Sequence, residues 1–160
     1  MATIRDATEE DRAWILANST LIGGPSVVAG GMLYRLADHP AIVAETDDAL
    51  AGFVVYRTGS VRWEILAILA TSEGQGIGSE LLKIVETRAR ASGAQQLRIS
   101  TTNDNFASLG FTQKRGYVMR QMIPGAMIAA RRLKGLPTNT PIYGPNGIEI
   151  RDEIVLNKNL

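Results

Sequence analysis

The sequence predicts an α/β fold in which a mixed, mostly antiparallel central sheet of about six to seven strands is flanked by helices. Three observations support this prediction. Three strand-like segments follow one another through short turns, which is typical of an antiparallel meander. An amphipathic helical segment comes next and leads into another strand-like segment. Helical and strand-like segments then continue to alternate, so we expect helices and sheet to share the core of a single domain spanning residues 1–160.

The first elements are indicated by local patterns near the start of the chain. Thr3–Arg5 is predicted as a short strand. Thr8 and Asp11 are spaced as in a capping box, in which each side chain binds a backbone amide of the other residue at a helix start. The segment Asn18–Gly31 is rich in Gly, Ser and Pro, so we expect an irregular loop there, followed by a short helix through Leu33 and Leu36.

The longest helix is predicted to begin near Gly76, because Ile77, Leu81 and Ile84 repeat at the helical spacing. The other strands are predicted at Ala41–Glu45, Leu50–Arg57, Val61–Leu69, Gln96–Thr101, Tyr117–Met122 and Ile148–Leu156. Two further helices are predicted, at Phe106–Arg115 and within Pro124–Lys134.

Composition excludes several classes of protein. The chain has no cysteine, which excludes disulfide scaffolds, thiolate metal sites and cysteine nucleophiles. His39 is the single histidine, which argues against multi-histidine metal sites and a Ser-His-Asp triad, so we expect no metal cofactor. The net charge of +1 is far from the strongly basic balance of a general nucleic-acid binder, so we expect no nucleic-acid partner.

The hydropathy pattern predicts neither a membrane segment nor a secretion signal. The longest apolar run, Ile65 to Ala70, is far shorter than the ~20 residues that span a bilayer. The N-terminal residues lack the layout of a signal peptide. We therefore expect a cytoplasmic protein with no membrane partner.

A glycine-rich loop, Glu73-Gly74-Gln75-Gly76-Ile77-Gly78-Ser79, lies between a strand and the longest predicted helix. Glycines allow a sharp turn there, and the free amides at a helix N-terminus can bind phosphate oxygens. A Walker loop is disfavoured because Gly78-Ser79-Glu80 lacks its lysine. A dinucleotide fingerprint is disfavoured because Ser79 replaces its last glycine and antiparallel strands precede the loop. The pyrophosphate loop of an acyl-coenzyme A binder remains, beside the alternative that the glycines only turn the chain.

A second motif, Asn105-Phe106-Ala107-Ser108-Leu109-Gly110-Phe111-Thr112 followed by Gln113-Lys114-Arg115-Gly116-Tyr117, lies beyond the next strand. It resembles the second signature of the GCN5-related N-acetyltransferases, the GNAT family, and Gly74–Gly78 resembles the first signature of that family. Thr101-Thr102-Asn103-Asp104-Asn105 and the closing segment from Gly147 to Ile154 resemble one subgroup whose substrates are unassigned. The resemblance extends from about Thr3 to Leu156.

The resemblance implies a site for acetyl-CoA as co-substrate. The backbone between Leu66 and Ile68 would pair with the pantetheine arm, and a bulge near Ile68 would supply an oxyanion site. The amides of Glu73, Gly74, Gln75, Gly76, Ile77, Gly78 and Ser79 would hold the pyrophosphate. Glu73 departs from the Gln or Arg usual in the family, so we expect only its backbone or an outward-turned side chain to take part. Asn105 matches an asparagine that contacts the coenzyme, although it is equally suited to be a helix N-cap.

Two positions carry the predicted chemistry. Thr112 occupies the place of the tyrosine usually proposed to protonate the departing thiolate, and threonine is a far weaker acid. Water or another tyrosine could replace it, and the candidate tyrosines are Tyr34, Tyr56 and Tyr143. Glu64 is the candidate general base, since an alkylamine with a pKa of about 10.4 must lose a proton before it attacks. Burial beside Trp63 would raise the pKa of Glu64 toward a useful value. Asp152 and Glu153 are weaker candidates.

The resemblance therefore implies an acetyl-CoA-dependent N-acetyltransferase that acts on a primary amine of a small molecule or a peptide by direct attack in a ternary complex. The segment from Asn18 to Met32 lies where the family builds its acceptor site. We expect a monomer or a homodimer. The alternative is a non-catalytic acyl-CoA-binding or regulatory module, and Thr112 is the residue that keeps this alternative open.

Overall fold

The computed structural model describes all 160 residues of the chain. They form two compact units. The first contains Met1–Val27, Tyr34–Leu97 and Asn159–Leu160, and the second contains Val28–Leu33 and Arg98–Lys158.

The strands are β1 (Thr3–Asp6), β2 (Ser26–Ala29), β3 (Met32–Arg35), β4 (Ala41–Thr46), β5 (Ala49–Arg57), β6 (Arg62–Ala70), β7 (Gln96–Thr102), β8 (Val118–Ile123) and β9 (Glu153–Asn159). The helices are α1 (Glu9–Asn18), α2 (Ile77–Ala91), α3 (Phe106–Gln113) and α4 (Ala126–Leu133). Short 3₁₀ turns cover Ser19–Ile22 and Leu36–Asp38.

Seven strands form one sheet in the order β1-β4-β5-β6-β7-β9-β8, and β2 and β3 form a separate two-stranded sheet. The pairs β1–β4, β4–β5, β5–β6 and β8–β9 are antiparallel. The prediction of a mixed, mostly antiparallel sheet of six to seven strands flanked by helices is therefore confirmed.

The predicted capping box at the start of α1 is present. The backbone N–H of Thr8 donates to Oδ2 of Asp11 at 2.7 Å, and the N–H of Asp11 donates to the hydroxyl of Thr8 at 3.3 Å. Arg5 also binds the Asp11 carboxylate, and this ion pair lowers the pKa of Asp11 to about 2. The helix therefore begins where its sequence pattern predicts.

The segment before β4 differs from its prediction. Instead of an irregular loop and a short helix, the chain forms the β2–β3 hairpin. Its turn is Gly30-Gly31, and both residues have positive φ, +58° and +79°. A two-residue hairpin turn of this kind requires such angles at both positions, which glycine adopts without strain. The helix predicted through Leu33 and Leu36 was wrong at Leu33, which lies in β3 beyond this turn, whereas Leu36 begins a short 3₁₀ turn.

The last strand also begins later than predicted. Residues 148–152 are not part of it, and β9 starts at Glu153. The side chain of Asn103 binds the segment before β9: Oδ1 accepts from the N–H groups of Arg151 and Asp152 at 2.9 and 3.0 Å, and Nδ2 donates to the carbonyl of Glu149 at 2.9 Å. These backbone groups are thus satisfied by a side chain, which a pattern of alternating residues does not reveal.

The buried core of the first unit surrounds β4, β5 and β6. Ile42, Val43, Phe53 and Val54 have no exposed surface. Gly52 in β5 permits close packing of the helix that follows β6, since a Cβ atom at this position would lie 2.8 Å from Cγ2 of Ile77. The start of α2 is therefore held directly against the middle of the sheet.

Candidate functional site

The glycine-rich loop joins β6 to α2 and exposes its backbone. Glu73, Gly74, Gln75 and Gly76 are all exposed. Gly74 and Gly76 have φ of +77° and +76°, the left-handed conformation that L-residues rarely adopt. Apart from each glycine and its two chain neighbours, no heavy atom lies within 4 Å of the place where a Cβ would stand at either position. The backbone of the loop is therefore open to a ligand at both turning points.

The N-terminus of α2 has the features of an anion site. Gly76 is the N-cap residue and supplies no side-chain hydrogen bond to the first turn. Ile77 is 2% exposed and anchors the helix in the core, while Gly78 and Ser79 are half-buried. The first amides of a helix have no partner within the helix, and the helix dipole adds positive potential there. This end of α2 can hold phosphate oxygens without any basic side chain.

A β-bulge interrupts β6 upstream of the loop. Val55 pairs with Ala67 and Tyr56 pairs with Ile65, so Leu66 has no counterpart on β5. An extra residue of this kind leaves its backbone groups outside the regular ladder. The bulge lies at Leu66, two residues before the position near Ile68 where it was expected.

Glu64 lies on β6, directly across from Arg57 on β5. The Glu64 residue is 5% exposed, and Nη2 of Arg57 donates to its Oε2 at 3.1 Å. The Arg57 side chain is 40% exposed. A buried carboxylate is thus paired with a cation that reaches solvent.

The ring of Tyr34 lies against Arg57 of this ion pair, and His39 contacts that ring. The guanidinium of Arg57 lies 5.2 Å from the ring centroid of Tyr34, a cation–π geometry. The ring of Tyr34 makes an edge contact with His39, at 5.7 Å between ring centroids. Burial is the main cause that lowers the pKa of His39 below 6.5, and the charge of Arg57 acts in the same direction while Asp38 opposes it. His39 is therefore mostly neutral at pH 7.

Thr112 lies in the last turn of α3 and has no exposed surface. Its hydroxyl donates to the carbonyl of Ser108 at 2.8 Å. Asn105 lies at the other end of the same helix, where its side chain accepts from the N–H of Ser108 at 3.0 Å, and it is exposed. The N-cap role of Asn105 is thus present, and its contact with a coenzyme stays a prediction.

The three candidate tyrosines differ in environment. Tyr56 is 5% exposed, stacks on Trp63 and accepts a hydrogen bond from Arg88. Tyr34 is half-buried beside Arg57, whereas Tyr143 is 61% exposed. Tyr34 is therefore the candidate that lies beside Glu64's ion-pair partner.

The two weaker carboxylate candidates are used by the second unit itself. Asp152 accepts from the backbone N–H of Gly125 at 2.9 Å and pairs with Arg151, which lowers its pKa. Glu153 is 2% exposed and accepts from the N–H of Gly30 at 3.2 Å, so it holds the tip of the β2–β3 hairpin. These contacts favour structural roles for both residues.

Sequence reasoning missed Arg57. The strand pattern predicts Arg57 only as the end of a strand and does not pair it with a residue of the next strand. An arginine and a glutamate close to the two sides of one hairpin turn are a signal for a cross-strand pair.

The structure contains neither a membrane-spanning helix nor a cluster of metal-binding side chains. No helix has the length and apolar character needed to cross a membrane. No group of three or more His, Asp or Glu side chains is placed to hold a metal ion.

Comparisons with known proteins agree with this geometry. A model of the acetyltransferase (GNAT) family matches residues 9–117. The uncharacterized protein YdhI of Bacillus subtilis (strain 168) is 34% identical over 137 residues, which cover 85% of this chain and 84% of that protein.

Solved structures show the same fold. A GNAT family acetyltransferase from Elizabethkingia anophelis with acetyl-CoA bound has a TM-score of 0.72 and 25% identity, covering 99% of this chain and 98% of that one. A Bacillus subtilis acetyltransferase in complex with CoA has a TM-score of 0.71 and 21% identity, covering 100% and 99% of the two chains. The family match, which covers more than half of the chain, establishes that this chain belongs to the GNAT acetyltransferase family.

Proposed function

We propose that the chain transfers an acetyl group from acetyl-CoA to a primary amine of a small molecule or a peptide, by direct attack within a ternary complex. The observation that carries this proposal is the open glycine turn at the uncapped N-terminus of α2. The Elizabethkingia anophelis relative, which holds acetyl-CoA, supports the choice of ligand.

The coenzyme would be held mainly by backbone groups. Amides of Glu73, Gly74, Gln75 and Gly76, with those of Ile77, Gly78 and Ser79, would bind the pyrophosphate oxygens. The Glu73 side chain is exposed, so it can turn away from the phosphates. The pantetheine arm would pair with the backbone between Leu66 and Ile68, as an added strand.

The reaction would need one base and one oxyanion site. The nitrogen of the neutral amine attacks the thioester carbonyl carbon, forming a C–N bond, and the C–S bond breaks with its electron pair leaving on sulfur. Glu64 would accept the amine proton, directly or through one water. A backbone N–H at the Leu66 bulge would stabilise the negative charge on the carbonyl oxygen of the intermediate.

A non-catalytic acyl-CoA-binding module is the second candidate, and Thr112 favours it. The position that the family usually fills with a tyrosine acid holds a buried hydroxyl bonded to its own helix. A thiol has a pKa of about 8.5, so a thiolate leaves tolerably near neutral pH without an acid. The loss of that acid therefore weakens the enzymatic proposal without removing its chemical basis.

A two-step experiment separates the candidates. Calorimetric titration with acetyl-CoA tests the coenzyme site, and thiol release in the same preparation, against a panel of primary amines, tests turnover. We expect binding and amine-dependent thiol release, and Glu64→Gln should lower kcat about 10²–10⁴-fold while acetyl-CoA affinity is retained. Glu45→Gln is the control, because Glu45 pairs with Arg5 on the same sheet and has no proposed role. Absence of acetyl-CoA binding would contradict both candidates, and binding without turnover would favour the second.

A further inference from the structure

We propose that the acceptor carries a carboxylate next to its amine, as an α-amino acid does, and that Arg57 binds this carboxylate while Glu64 receives the amine. The inference rests on the proposed function and adds the substrate class to it. It concerns one ion pair and the surface beside it.

The ion pair joins two opposite charges at contact distance, 3.1 Å between Nη2 of Arg57 and Oε2 of Glu64. The amine and the carboxylate of an α-amino acid are attached to one carbon atom, so their charges are also close together. A zwitterion of this kind can place its carboxylate on Arg57 and its amine on Glu64 at once. A simple amine could bind Glu64 but has no carboxylate for Arg57.

Arg57 has hydrogen-bonding capacity left over. A guanidinium has five N–H donors, and Nη2 of Arg57 donates to Glu64. Its Nε is buried and has no hydrogen-bond partner. A buried donor without a partner costs free energy, so an acceptor for the Nε–H of Arg57 would stabilise the guanidinium. A small adjustment that admits a carboxylate would satisfy the guanidinium bidentately, the geometry that arginine favours.

Tyr34 orients the guanidinium of Arg57, and His39 adds little positive charge to that of Arg57. Tyr34 lies against the guanidinium at 5.2 Å and restricts its orientation. His39, which makes an edge contact with the Tyr34 ring at 5.7 Å between centroids, has a pKa lowered mainly by burial and adds little charge at pH 7. If the acceptor carried a cationic group in place of the carboxylate, the positive charge of Arg57 would repel that group. If the acceptor carried a neutral group in place of the carboxylate, it would lose the contact with Arg57.

The test compares acceptors that differ only in the group next to the amine. Leucine, leucinamide and 3-methylbutylamine form one series, phenylalanine and 2-phenylethylamine a second, and all twenty standard amino acids cover side-chain preference. Thiol release gives kcat and KM for each. We expect kcat/KM for the best amino acid to exceed that of its decarboxylated amine by at least about tenfold, the size expected of one charge-assisted hydrogen-bonded pair.

Variants of Arg57 identify the residue responsible. Arg57→Met also removes the charge beside Glu64, so it should slow the reaction of both acceptors, but it should lower kcat/KM for the amino acid about tenfold or more beyond its effect on the decarboxylated amine. Because that variant removes the Arg57 charge beside the buried Glu64 carboxylate, it could fail to fold. Arg57→Lys keeps the charge and removes the planar fork, so it should fold and lose part of the preference. Arg35→Met is the control, since Arg35 lies on neighbouring β3 with 71% of its side chain exposed.

The outcomes separate this inference from the proposed function. If acetyl-CoA does not bind, the proposed function fails and the inference fails with it. If acetyl-CoA binds and simple amines react as well as amino acids, or if Arg57→Lys lowers both equally, only the inference is overturned. If no acceptor reacts, calorimetry of the twenty amino acids with the CoA-saturated protein decides. If an amino acid binds with a measurable heat and Arg57→Lys reduces that heat, the result supports the inference. If no amino acid gives a binding heat, the inference is overturned.

Discussion

Thr112 and Ser108 are joined within α3 by a hydrogen bond from the Thr112 hydroxyl to the Ser108 carbonyl, at 2.8 Å. Thr112 has no exposed surface. A hydroxyl that is buried and bonded to the preceding turn contributes to packing and to the helix end. The structure therefore favours a structural role at a position where the family resemblance implies a proton donor.

Replacing this hydroxyl tests the two roles directly. Thr112→Val keeps the shape, so we expect kcat within about threefold of wild type and a loss of about 1 kcal/mol of unfolding free energy. Thr87→Val is the matched control, because the Thr87 hydroxyl makes the same bond to Lys83 at 2.9 Å at an exposed position of α2. A fall in kcat of a hundredfold or more in Thr112→Val alone, measured by thiol release, would restore the catalytic role.

The left-handed glycine before α2 provides a second prediction. Gly76→Ala forces φ of +76° on a residue with a Cβ, at a cost of about 1–2 kcal/mol, and shifts the turn that presents the amides. Acetyl-CoA affinity should fall about tenfold or more by calorimetry. Gly93→Ala carries a similar strain, with φ of +87° and equally open space, but lies beyond the other end of α2. Equal affinities in the two variants would count against the pyrophosphate site.

Asn105 has two proposed roles that one pair of substitutions can separate. Asn105→Ala should lose about 1 kcal/mol of unfolding free energy with its N-cap bond, while Asn105→Ser should retain most of the cap. A coenzyme contact would appear as weaker acetyl-CoA binding in Asn105→Ser at nearly unchanged stability. If the serine variant binds acetyl-CoA like wild type, capping is the whole role of Asn105.

The three hydrogen bonds of the Asn103 side chain predict a large structural effect. Asn103→Ala leaves backbone groups of Glu149, Arg151 and Asp152 without their partner, so we expect a loss of about 2–4 kcal/mol in urea unfolding. Asn18→Ala is the comparison, because its side chain donates one bond at the end of α1. Similar losses in the two variants would show that the contacts of Asn103 are replaced by water.

The pH dependence of stability provides a further prediction, which depends on Asp11. Its pKa is about 2 in the folded chain, mainly because of Arg5, against 3.8 as the ordinary value. A lowered carboxyl pKa stabilises the fold above pH 3.8, and this contribution is lost as the pH falls toward 2. Between pH 5 and pH 3, wild type should therefore lose about 1 kcal/mol more than Asp11→Asn in urea unfolding. Parallel pH curves for the two proteins would refute the assignment.

Local signals determined the elements that were predicted well. The capping box of Thr8 and Asp11 acts between residues three apart, and the apolar repeat of α2 is complete within four turns. Interactions between residues this close along the chain can be predicted from the sequence alone. The glycine loop was found for the same reason, since the turn and the helix start that follows it are consecutive in the chain.

The errors fall where distant segments decide the local structure. The β2–β3 turn had a readable signal in Gly30-Gly31, but its tip is held by Glu153, 123 residues away. The start of β9 depends on Asn103, which takes the backbone groups that a longer strand would have used. A periodic pattern contains no information about such partners.

The sequence by itself determined the family, the fold class and the position of the glycine-rich turn before α2, because these depend on residue types at fixed short spacings. Only the tertiary structure paired Arg57 with Glu64, placed the bulge at Leu66 and buried the hydroxyl of Thr112. Strand register decides which side chains touch across a sheet, and packing decides which hydroxyls remain accessible. Both are properties of the assembled core, in which residues far apart in the chain compete for the same contacts.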